Sequence, residues 1–290
     1  MHSFTRREFL SLVGAGAALA LAACGNTANN AAPASPEAAS AAAATTSLAG
    51  AALTFVGDDA FAPFRSLQVA SDGSTKLQGL DIDIMDEMAS RLGFTYTFEA
   101  QDFAATLASV QGSDTSFTMP MSANDERRQT FDFTRGYYQP LVGVLTTGDK
   151  IETLEGLAGK SIACTTGTVQ NKFVESAVEG ADIHTYDGGD QCLQEVLAGR
   201  IDAYVCDGAE GVAMQAANPG TQLGLLPREA TSDYVSVYRI MAVKEASFVP
   251  AFDKALAEML EDGTIDGFIE KWVGPEFVWG ADAEAAATAE

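Results

Sequence analysis

From Leu53 onward, short apolar runs alternate with longer stretches at helical spacing, and this alternation runs through the chain twice. Leu53 to Val56 ends at Gly57 and reads as a strand. Leu80, Ile84, Met85, Met88 and Leu92 share one helical face, with Gly93 as the stop signal. Phe94, Tyr96 and Phe98 alternate as a strand, followed by a helix over 104–110 and a strand near Phe117. A second series starts near Leu154. Its strands are Ser161 to Thr165, Ile183 to Tyr186 and Ile201 to Cys206. Thr168 opens a helix bearing Val169, Phe173, Val174 and Ala177, and Asp190 is placed as the N-cap of a helix bearing Leu193, Val196 and Leu197. Phe252, Leu256, Met259 and Leu260, then Ile265, Phe268, Ile269 and Trp272, mark two closing helices. Such an order implies an α/β fold with largely parallel sheets. The extended runs at 138–147 and 235–243 do not fit the alternation and read as strands crossing between two halves. No repeat of solenoid length is visible.

The chain has 290 residues, enough for two lobes of ordinary size. Its net charge is −23; the first 23 residues, with Arg6, Arg7 and Glu8, contribute +1, so the remainder carries the acidity. So acidic a chain repels nucleic acid and anionic lipid headgroups, and neither is expected as a partner. The only histidines are His2 and His184, which closes off paired-histidine catalysis and most metal sites; no metal and no cofactor are expected. The cysteines Cys24, Cys164, Cys192 and Cys206 form no C-x-x-C pair. Apart from Cys24, they allow at most one disulfide and a leftover thiol.

Residues 1–23 read as an export signal: Arg6-Arg7 precedes an apolar run from Leu12 to Ala23 that is too short to span a bilayer. Leu21-Ala22-Ala23-Cys24 resembles the lipobox of bacterial and archaeal lipoproteins, which implies lipidation at Cys24. Residues 24–50 are rich in Ala, Asn, Ser, Thr and Pro and read as a flexible tether; residues 281–290 read as a disordered tail. The expected location is the outer face of the cytoplasmic membrane.

Five segments between Leu53 and Gly274, in order, resemble the polar amino-acid-binding proteins of ABC transporters, solute-binding protein family 3. They are Asp58 to Phe64, Gly79 to Gly93, Glu126 to Tyr138, Leu154 to Lys160 with Thr166-Gly167-Thr168, and Glu261 to Thr264 with Lys271-Trp272. The resemblance implies a two-lobed, flytrap-like periplasmic-binding-protein fold: two sheets flanked by helices and joined by two hinge strands. Lobe 1 is expected over 51–143 plus 239–280, and lobe 2 over 144–238. It also implies a monomer that closes on an amino acid and passes it to ABC permease subunits.

A free amino acid brings a carboxylate and an ammonium into a poorly hydrated cleft, and both are costly to bury unpaired. By motif position, Arg127 takes the carboxylate; read alone, it belongs to a charged surface run. Thr168 and the N–H of Val169 open a helix and can hold an anion, although Thr168 also suits a plain N-cap. Ser122 is placed where the family has a ligand-touching hydroxyl. Asp207, at the end of a strand, is expected to take the ammonium. Pro120 stands where the family usually has glycine and supplies a carbonyl on a stiffer loop. Phe61 and Phe103 are expected as apolar walls. Asp58, with Asp59 as its neighbour and rival, is expected to meet a polar or cationic side chain. Cys206 either lines the pocket or pairs with Cys164, the buried thiol being the simpler reading. The competing readings are a prephenate-type cyclohexadienyl dehydratase on the same fold, with Glu175 or Glu210 as its acid, a sensory lobe pair, and a binder of another zwitterion such as an opine or ectoine.

Overall fold

The computed structural model describes residues 47–278; the segments read as export signal and disordered tail, Cys24 and most of the segment read as a tether lie outside the described residues. The first strands are β1 (Ala52–Gly57), β2 (Ala60–Phe61), β3 (Arg65–Val69) and β4 (Thr75–Gln78). Then come α1 (Leu80–Leu92), β5 (Thr95–Ala100), α2 (Phe103–Gln111), β6 (Ser116–Ser122) and β7 (Phe131–Phe133). The second series is β8 (Val142–Thr146), α3 (Leu154–Leu157), β9 (Ser161–Thr165), α4 (Val169–Ala177), β10 (Asp182–Tyr186), α5 (Gly189–Leu197), β11 (Ala203–Asp207), α6 (Gly208–Ala217) and β12 (Gln222–Leu225). The chain closes with β13 (Tyr238–Val243), α7 (Val249–Glu261) and α8 (Thr264–Trp272).

These strands form two five-stranded sheets, ordered β5-β1-β6-β13-β7 and β10-β9-β11-β8-β12, plus a small β2-β3-β4 sheet. In each large sheet four strands point the same way, and the strand that arrives from the other lobe runs antiparallel between two of them: β13 between β6 and β7, and β8 between β11 and β12. The fold is therefore two-lobed α/β. The two crossing segments lie side by side. Tyr137 N–H donates to Tyr238 O at 2.9 Å and Tyr238 N–H to Tyr138 O at 2.7 Å.

Both faces of the second sheet are buried, as parallel strands under helices require. Val142, Val144, Ile162, Cys164, Ala203 and Val205 pack into one core, while Leu145, Ala163, Tyr204 and Cys206 pack into another on the opposite face. Side chains alternate across a strand, so one apolar run feeds both cores. The first sheet's core is aromatic. Phe55 stacks on Phe117 at 5.1 Å, and Phe117 meets Phe252 edge-on at 5.4 Å. Full burial of one such ring is worth about 2 kcal/mol.

Several expectations shift by a residue or an element. Val142 and Gly143, assigned by sequence to lobe 1, belong to the second sheet, and Tyr238, assigned to lobe 2, heads a strand of the first. The periodic pattern marks the apolar run but not the point at which its backbone changes partners. Gly188, not Asp190, caps α5. The small β2-β3-β4 sheet has exposed residues such as Val69 and carries no core pattern to signal it. Cys164, Cys192 and Cys206 are all free and buried, so Cys164 and Cys206 form no bridge.

Candidate functional site

Parallel strands of an α/β sheet place ligand-binding groups beyond their carboxyl ends. Here the ends of β1, β6, β9 and β11 from both lobes converge on one cavity. Asp58, Phe61, Phe103, Pro120, Ser122, Arg127, Thr168, Val169 and Asp207 all line it. The lobes touch around it: Arg127 Nη2 donates to Gly167 O at 3.2 Å, and Glu126 pairs with Lys172.

Arg127 begins a 3₁₀ turn, Arg127–Gln129, whose first N–H is capped by Asn124 Oδ1 at 2.8 Å. Its side chain is only 8% exposed. Nη1 donates to Ser122 O at 2.8 Å, and the guanidinium stands 5.6 Å from the centre of the Phe103 ring. Two carbonyls hold it, but no carboxylate among the described residues pairs with it. Burial draws its pKa down to about 10, against the pull of Tyr238 and Glu126. A buried guanidinium held only by carbonyls is a site for an anion.

Opposite it, α4 points its first turn at the cavity. The hydroxyl of Thr168 is committed to the helix: it donates to Thr165 O at 2.8 Å and accepts from Asn171 N–H at 3.1 Å. The next N–H groups, of Val169 and Gln170, have no partner within the helix and carry its positive end.

Asp207 ends β11 and caps α6. Its Oδ1 accepts from Ala209 N–H at 2.8 Å and Glu210 N–H at 3.3 Å, and its Oδ2 accepts from the Tyr238 hydroxyl at 2.8 Å. Burial pushes its pKa up to about 6, while these donors hold it down. A carboxylate has about four acceptor positions. Three are used, and one remains for a cation.

Ser122 and Pro120 lie on β6. The hydroxyl of Ser122 donates to Ser236 O at 2.9 Å, so toward a ligand it is an acceptor. Pro120 lies in a central strand, where a missing N–H would break the ladder. The pairing with β13 slips there: Met121 opposes Arg239 and Thr118 opposes Met241, leaving Met119 and Pro120 against the single residue Ile240. This bulge absorbs the missing donor. Asp58, not Asp59, lines the cavity; its Oδ1 accepts from Ala60 N–H at 2.8 Å.

Among the cavity residues that sequence reasoning missed are Arg65, Tyr204, Gln170 and Tyr238. Arg65 is buried against Asp81 and holds two carbonyls, those of Met119 and, at 2.9 Å, Asp58, so it ties the Asp58 loop to β6. Gln170 Nε2 donates to Tyr238 Oη at 3.4 Å. Tyr238 was visible only as part of an apolar run. Its place opposite Ser122 follows from strand pairing across more than a hundred residues.

Two lobes meet around a cavity that holds a buried guanidinium, unpaired with any carboxylate among the described residues, and a helix start beside a carboxylate, the architecture of a solute-binding protein. Residues 53–275 match the family described as bacterial extracellular solute-binding proteins, family 3, and the chain belongs to that family. It is 28% identical over 206 residues to the L-cystine-binding protein TcyJ of Escherichia coli K12, covering 69% of this chain and 76% of that one. It is 27% identical over 226 residues to the lysine/arginine/ornithine-binding periplasmic protein of the same strain, covering 74% and 85%. A solved arginine 3rd transport system periplasmic binding protein from Legionella pneumophila superposes with a TM-score of 0.66 at 26% identity, over 76% of this chain and 98% of that one. Among the described residues, no helix is long and apolar enough to cross a membrane, and no group of His, Cys, Asp and Glu is arranged to hold a metal.

Proposed function

We propose that the protein captures a free α-amino acid, with a polar or cationic side chain favoured, between two lobes built on the two sheets. It then delivers the amino acid to the permease of an ABC importer. Arg127 and the first N–H groups of α4, at Val169 and Gln170, take the carboxylate. Asp207 takes the ammonium, with the Ser122 hydroxyl and the Pro120 carbonyl as further acceptors. Phe61 and Phe103 wall the side chain, and Asp58 meets its polar end. One observation carries this reading: a guanidinium 8% exposed, with no carboxylate partner among the described residues, lines the same cavity as the buried Asp207. The protein acts as a monomer without cofactor or catalysis. It is held by lipid on Cys24 at the outer face of the cytoplasmic membrane, and residues 24–50 serve as its tether.

The relatives named above support this reading, since their names give amino acids as what they bind. Purified protein screened against the common amino acids by thermal shift tests it. A ligand at about 100 times its Kd stabilises by about 2.7 kcal/mol. If no amino acid raises Tm, the reading fails. Replacing Cys24 by serine is expected to release the exported protein from membranes into the soluble fraction.

A further inference from the structure

Arg127, α4 and Asp207 account for both charges of an amino acid's main chain, yet two more acids line the cavity, Asp58 from the first lobe and Glu210 from the first turn of α6. Glu210 is 5% exposed, and both its oxygens lie 3.2 Å from the Tyr204 hydroxyl. That hydroxyl has one proton to give, so most of the carboxyl's acceptor positions are unfilled. The backbone at the start of α5 approaches closely: a Cβ on Gly189 would stand 2.2 Å from Glu210 Oε1 and 2.7 Å from Tyr204 Oη. Any side chain there would displace Glu210. Independently of these acids, the Thr106 hydroxyl, 1% exposed, lines the same cavity and has no hydrogen-bond partner among the described residues. An orphaned buried hydroxyl marks a place where a polar ligand atom belongs.

We infer that Glu210, seated against Gly189 and Tyr204 with Asp58 on the opposing lobe, sets specificity by taking the hydrogen-bond-donating cation at the far end of the ligand's side chain: a guanidinium, imidazolium or ammonium. The inference rests on the amino-acid reading of the same cavity. The groups around Glu210 are Asp207, Tyr204 and Cys206 on β11, Cys192 on α5, and Asp58 across the cavity. Burial first, then Asp207 and Asp58, push its carboxyl up to about 8, against the pull of the Tyr204 hydroxyl. Burial keeps both thiols protonated. An arriving cation therefore meets a protonated Glu210 near neutral pH and expels its proton to the buffer.

Calorimetry of the purified wild type, Glu210→Gln and Asp58→Asn tests this. The titrants are arginine, lysine, histidine and, as the neutral comparator, glutamine, each in two buffers of different ionisation enthalpy. The wild type is expected to prefer a cationic amino acid and to release a proton on binding it. Glu210→Gln is expected to weaken that ligand at least about tenfold, leave glutamine within about threefold and abolish the proton release; Asp58→Asn is expected to weaken the cation more than glutamine. An unchanged ratio of cationic to neutral affinity in Glu210→Gln overturns the inference, as does a wild type that prefers glutamine. Should Glu210→Gln not fold, the wild-type proton release decides: its absence overturns the assignment. A wild type that binds no amino acid removes the broader reading and this one with it, whereas amino-acid binding with an unaltered ratio removes this one alone.

Discussion

Replacing Arg127 by glutamine separates a binding role from a structural one. Burial draws the guanidinium's pKa down to about 10. At about 1.4 kcal/mol per unit, the buried charge costs on the order of 3 kcal/mol. Its hydrogen bonds to Ser122 O and Gly167 O, at 2.8 and 3.2 Å, offset this. Bonds from a charged donor are worth about 1.5–3 kcal/mol each, so the two sides nearly cancel. Glutamine removes the cost and retains one amide donor. The ligand-free Tm of Arg127→Gln is therefore expected within about 4 °C of wild type. Binding is another matter. A carboxylate held by two parallel charged bonds loses about 3–4 kcal/mol when the fork is removed, which is two to three orders of magnitude in Kd. Differential scanning fluorimetry and calorimetry measure the two effects on one sample. A variant that binds within about threefold of wild type would show that the guanidinium does not hold the ligand. A collapse of the ligand-free Tm would show that it holds the fold instead.

Asp207→Asn keeps the cap on α6, because asparagine accepts from the same N–H groups, and is expected to cost under about 1 kcal/mol of stability while weakening the amino acid at least about a hundredfold by calorimetry. Ligand-free stability is expected to fall as pH rises from 5 to 8.5. The folded pKa values of Asp207 and Glu210, about 6 and about 8, stand above their ordinary 3.8 and 4.5, so their contribution is full below the ordinary values and is lost as pH climbs through the raised ones. A wild-type Tm that is flat or rising over that window in scanning fluorimetry contradicts this. Gly224→Ala is expected to unfold the second lobe or cost more than about 3 kcal/mol in urea denaturation, since its Cβ would stand 1.9 Å from the Ile151 carbonyl oxygen.

The parts that a sequence shows well are those fixed locally. The face of α1 with Leu80, Ile84, Met85 and Met88 follows from spacing alone, and so does the cap at Thr168. The nine candidate site residues share one cavity because motif order fixes which strand end, or which turn or helix start after it, each occupies. What escaped depends on distant partners. Tyr238 matters because its hydroxyl meets Asp207, thirty-one residues away, and Arg65 because its fork joins Asp81 and Met119. Pro120 looked like a stiffened loop. It is a central-strand residue, tolerated because its own strand bulges against a partner more than a hundred residues later. Nothing near Glu210 in the chain announces a buried acid, because the space it fills is made by Gly189 on another helix.

The passage from lobe to lobe is made twice, and the two passages are stitched together by the bonds between Tyr137, Tyr138 and Tyr238. A pair of spans joined along a common line resists twist and sideways slip and leaves bending as the soft direction. Apparent affinity scales with the share of molecules already shut. A substitution at Tyr137, on that seam but outside the cavity lining, would therefore reset affinity for every solute by the same factor and leave their ranking untouched.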